Sequence, residues 1–79
     1  MADKHWSKSL QQLTYDKLEQ FSVVKNYKEP FHGIVSHLEY GKVVISNIVV
    51  KNCFPIPGEQ VLAEYKGIQA MIDDGWVID

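Results

Sequence analysis

The stretch from Pro30 to Ile45, Pro-Phe-His-Gly-Ile-Val-Ser-His-Leu-Glu-Tyr-Gly-Lys-Val-Val-Ile, constrains this chain more than any other. It reads as two strands joined at a tight Glu39-Tyr40-Gly41-Lys42 turn. In the first strand Phe31, Gly33, Val35 and His37 alternate with His32, Ile34, Ser36 and Leu38, so both faces carry apolar groups. That pattern suits a strand in a small, strongly bent sheet. Gly33 fits the bend, because a glycine inside a strand marks a bulge, a tight bend or a close backbone approach. The run Lys42 to Lys51 is rich in β-branched residues and is the strongest strand signal in the chain.

The 79 residues make one domain spanning 1–79, with 1–8 expected to be flexible, a helix at about 9–19 and a barrel at about 22–78. A chain this short buries only about 60% of its extended surface and gains stability from disulfides, a metal or association. Cys53 is the single cysteine, which excludes an internal disulfide and suits a reducing cytoplasm, with a buried or idle thiol expected. His5, His32, His37 and Cys53 lack zinc-ligand spacing, so no metal or other cofactor is expected. Association remains. The net charge of −2 means that any phosphate-binding surface must be local. No run approaches the roughly 20 apolar residues of a membrane span, and the start of the chain lacks the apolar core of a signal peptide. A cytoplasmic location is the expectation.

Along the rest of the chain, Ser9-Leu10-Gln11-Gln12 fits a capping box and predicts a helix from about Ser9 to Glu19, with Leu10, Leu13, Leu18 and Phe21 as its apolar stripe. Val23-Val24 leads into a loop ending at Pro30. Asn52 to Glu59 reads as a loop, punctuated by two prolines and a glycine. Gln60 to Tyr65 reads as a strand, Lys66-Gly67 turns into an apolar segment, and Trp76 to Ile78 closes the chain as a short strand. Strands are favoured over a competing helix across Gln60 to Ile72, since Gly67 in mid-helix costs about 1 kcal/mol against Ala.

Phe31-His32-Gly33-Ile34-Val35, Leu38-Glu39 and Val43-Val44-Ile45, followed by Val61 to Ile72 with Lys66-Gly67 inside it, resemble the two motifs of the Sm/LSm family, to which the RNA chaperone Hfq belongs. The likeness covers about Leu10 to Ile72. It implies a mainly β fold: an N-terminal helix before a small, strongly bent five-stranded antiparallel barrel. It also implies a non-enzymatic homo-oligomeric ring that binds single-stranded RNA, as a chaperone or regulator. Ring formation has a physical basis, because the fourth strand of one copy can pair with the fifth of the next and satisfy both open edges. Head-to-tail contacts of that kind close into a ring if the rotation between copies closes, and the resemblance implies about five to seven copies.

Carried over residue by residue, the resemblance assigns RNA binding to Tyr40, Gly41 and Lys42 in the first turn and to Lys66 and Gly67 in the second. Val43 stands where the family has a base-reading Asn, and its side chain offers neither donor nor acceptor. Such departures suggest a divergent bacterial or phage member. The rival expectation is an SH3-like barrel serving as a protein-interaction or structural module with no RNA role. Blander readings stand beside each residue. Tyr40 can pack on its own hairpin, Lys42 and Lys66 can be solvated, and Asp73, Asp74 and Asp79 can form a solvated acidic end. Trp76 suits core or subunit packing, and Trp6 a mobile terminus or a ring face. His37 with Cys53 is the one nucleophile–base pairing available, and no spacing supports catalysis.

Overall fold

A computed structural model describes residues 6–79. Helix α1 (Lys8–Lys17) begins where Ser7 caps it, its Oγ accepting from the Leu10 N–H at 3.2 Å. Five strands follow, β1 (Val23–Lys25), β2 (His32–Glu39), β3 (Lys42–Lys51), β4 (Phe54–Tyr65) and β5 (Val77–Ile78). A short helix, α2 (Ile68–Asp73), separates the last two. The strands form one antiparallel sheet in the order β4-β3-β2-β1-β5. β4 and β5 are its two edges and do not pair with each other, so the sheet is not closed by hydrogen bonds.

β2 and β4 nevertheless approach each other across β3 at Gly33. A Cβ at Gly33 on β2 would lie 2.5 Å from the Ile45 Cγ2 on β3 and 3.3 Å from a Leu62 methyl on β4. Register shifts fall between Val35 and His37 on β2 and again around Ser46 on β3. Such irregularities bend a strand and increase its local twist. The core gathers Val24, Val35, Val43 and Ile45 of the sheet with Leu18, with Met71 and Ile72 of α2, and with Trp76. Burying each of these aliphatic side chains contributes about 1.5–3 kcal/mol. Among the described residues no helix is long and apolar enough to cross a membrane.

Several expectations need correction. The capping residue is Ser7, not Ser9, and the helix stops at Lys17 instead of Glu19. Gln11 and Gln12 reach elsewhere: Gln11 donates to the Trp6 carbonyl and Gln12 to the Asp16 carboxylate. The expected stripe is mostly outward. Leu13 and Phe21 are exposed, Leu18 is buried, and the fully buried residue of α1 is Thr14. Val23-Val24 leads into a loop as expected, and is itself part of a strand. The supposed loop from Asn52 to Glu59 shrinks to an Asn52-Cys53 turn, and Phe54–Tyr65 is one continuous strand. Its prolines are tolerated because β4 is an edge, where a missing donor can face solvent. Beyond Gly67 the chain is helical, so the strand favoured across Ile68 to Ile72 is replaced by α2. Of the two readings of the Cys53 thiol, buried or idle, the first is excluded, because the residue is exposed. Trp6 is half-buried and its indole N–H donates to the Gly75 carbonyl, while the expectation for residues 1–5 lies outside the described residues.

Candidate functional site

Two turns far apart in sequence meet at one end of the sheet. The Glu39–Lys42 pair closes β2 onto β3 with only Tyr40-Gly41 between them, and Gly41 takes φ +82°, where glycine is favoured. Because Val43 pairs with Tyr65, the Lys66-Gly67 link that leaves β4 is drawn alongside that hairpin turn. A Cβ on Gly41 would sit 3.9 Å from the Lys66 carbonyl oxygen. Between the turns lies a cleft of about 630 Å³. Tyr40, Gly41, Lys66 and Gly67 line it, with Leu38 and Ile68 supplying apolar walls.

Four of the five residues expected to form a site therefore share one cavity. Lys42 does not line it; its ammonium lies 3.7 Å from the Glu64 carboxylate. Tyr40 is fully exposed, at 107%, and packs against nothing on its own hairpin. Lys66 has no ion-pair partner among the described residues. Glu39 also lines the cleft and lies 3.1 Å from His37. Val43 is buried in the core, so this position is turned away from any ligand in the cleft.

Sequence reasoning missed Tyr15 and Gln69, which line the cleft from α1 and α2. Tyr15 was detectable as a large aromatic lying off the helix's expected apolar stripe. Gln69 gave no signal while its segment was read as a strand.

The arrangement offers a stacking surface, one unmatched cation and apolar walls, with backbone exposed at two glycines. No serine, threonine, cysteine or histidine is among its lining residues. His37 pairs with Val44, and Cys53 lies nine residues further along the hairpin, roughly 30 Å away at the strand rise. No group of three or more His, Cys, Asp or Glu among the described residues is placed to hold a metal. Compared with protein-family models, curated proteins and solved structures, the chain matches none.

Proposed function

We propose that this chain is a non-enzymatic, Sm-like small-barrel module that binds single-stranded RNA at the cleft between its two turns. One base stacks on Tyr40, the Lys66 ammonium takes a neighbouring phosphate, and Gly41 and Gly67 let the strand approach the backbone. The observation that carries this reading is the convergence of Tyr40-Gly41 and Lys66-Gly67 on one cavity. A base stack of this kind contributes about 1–3 kcal/mol, and a phosphate contact makes binding salt-dependent. The bend at Gly33, which brings Leu62 of β4 towards β2, supports a barrel-like form for the sheet.

The ring that the resemblance implies meets an obstacle at β5. That edge is two residues long, and its outward Ile78 N–H already donates to the Thr14 Oγ1 at 3.0 Å. Closing a ring through β4 and β5 would have to displace α1 from each contact.

A protein ligand is the second reading, favoured by the local charge. Lys42 is matched by Glu64, and the cleft lining holds one carboxylate, Glu39, as well as Lys66, which leaves little net positive field. Titration with short uridine-rich and adenine-rich oligonucleotides at low and moderate salt separates the two. Under the RNA reading, binding weakens with salt, and Tyr40→Ala and Lys66→Ala each lower affinity by roughly 5- to 100-fold. No binding even at low salt would favour the protein-interaction module.

A further inference from the structure

The β3–β4 hairpin continues well past the core as an arm. Ile48 pairs with Pro57, Val49 with Ile56, Val50 with Pro55 and Lys51 with Phe54, and Asn52-Cys53 forms the tip. Directly opposed residues share a face of a ribbon. One face of the arm therefore carries Ile48, Val50 and two prolines, and the other carries Val49, Ile56 and Phe54 with Lys51 beside Phe54 at the tip. Val50 and Phe54 are 71% and 69% exposed. A two-stranded ribbon is marginal in water by itself, and an apolar surface on both sides marks a contact with something else.

The same protomer holds a shallow, open and mostly apolar groove at the base of the arm. It measures about 550 Å³ and is lined by Glu29, Pro30, Phe31, Gln60 and Leu62. Tip and groove share strand β4, with Phe54 near one end and Leu62 near the other. Two arms laid antiparallel about a two-fold axis bring each tip to the other copy's groove, a self-complementary contact. Charge complements shape. Lys51, opposite Phe54 at the tip, and Glu29, in the groove lining, have no ion-pair partner among the described residues. The prolines at 55 and 57 remove backbone donors from β4, so this contact is made by side chains and not by extending the sheet.

We propose that the arm face is the interface between two copies of this chain, with Phe54 of each copy seated on Pro30, Phe31 and Leu62 of the other and Lys51 meeting Glu29. The inference does not rest on RNA binding, and Tyr40→Ala is expected to leave the dimer unchanged. Sedimentation equilibrium over a wide range of concentration tests it. The expected species is a dimer. Phe54→Asp is expected to raise its dissociation constant by roughly 30-fold or more, as loss of a buried aromatic anchor does. The variant should keep its circular dichroism, because Phe54 touches none of the core. Lys51→Glu should also weaken the dimer, and adding Glu29→Lys should restore it. A monomer at every concentration, a ring of more than two copies, or a dimer indifferent to Phe54→Asp would each overturn the proposal. Failure of the charge exchange to restore association would overturn the antiparallel seating.

Discussion

At the scale of single residues, one carboxylate ties the loop after β1 to the end of β4. Asp74 accepts from the Tyr65 hydroxyl through Oδ2 and from Lys28 Nζ at 2.9 Å through Oδ1, while the Trp76 indole N–H donates to the Tyr65 oxygen at 3.0 Å. The Tyr65 hydrogen bond, and after it Lys28, hold the Asp74 carboxyl below its usual range. A depressed carboxylate contributes stability above its unfolded value of about 4, and that contribution is lost as pH falls through the folded value. Burial, and after it Asp74, push the Tyr65 hydroxyl well above its ordinary value. Its contribution is therefore full below about pH 10 and declines as pH rises beyond that. Thermal unfolding followed across pH should show a plateau with both an acid and an alkaline limb. Asp74→Asn should flatten the acid limb, and Tyr65→Phe should remove the alkaline limb and soften the acid one. Unchanged profiles in both variants would show that the cluster contributes nothing to stability. None of this was legible in the sequence, where Asp73 and Asp74 look like a solvated acidic end. Gly33 was legible, because a lone glycine within an apolar strand has few other uses.

At the scale of elements, the most consequential contact joins α1 to the edge of the sheet. Thr14 Oγ1 donates to the Leu10 carbonyl at 2.7 Å and accepts from the Ile78 N–H at 3.0 Å, and the residue is fully buried. Thr14→Val keeps the shape but strands the Ile78 donor, at a cost of about 1–3 kcal/mol. Chemical denaturation should report that loss, and hydrogen exchange should show the Ile78 amide losing protection before those of β2 and β3. Full retention of that protection would mean that water or another acceptor replaces the hydroxyl. A threonine among leucines gave no warning of this role, so the expected stripe ran through Leu13 and Phe21, which are exposed. β3 was legible to the residue because β-branched side chains crowd it and no competing signal interrupts. β4 was half legible: Pro55, Pro57 and Gly58 read as a loop, although the same residues suit an open edge. Only pairing with β3 decides between those readings, and pairing is not local. Ile68 to Asp73 failed for a related reason. Its composition favours a helix, but Gly67 was read as lying inside the element when it is the boundary.

At the scale of the whole molecule, two features have no partner among the described residues: the cleft between the turns and the apolar arm. The cleft was legible because each turn carries its own glycine signal, and the β3–β4 register then sets them side by side. The arm was not, since its length emerges only once the proline segment is seen to be strand. The two features lie towards opposite ends of the β3–β4 hairpin, so a contact through the arm leaves the cleft open to a ligand. A core of so few side chains leaves a small margin of stability, and association adds to that margin by mass action. The melting temperature should therefore rise with protein concentration. With a folding enthalpy typical of this size, each 1 kcal/mol gained shifts it by roughly 4–8 °C. Differential scanning calorimetry over a hundredfold range of concentration checks this. Phe54→Asp should abolish the dependence while keeping a cooperative transition, because the residue it changes stabilises the pair and not the protomer. A melting temperature independent of concentration in the unmodified chain would mean that the arm stands free in water, and the stability of its β3–β4 pairing would then have to come from the ribbon alone.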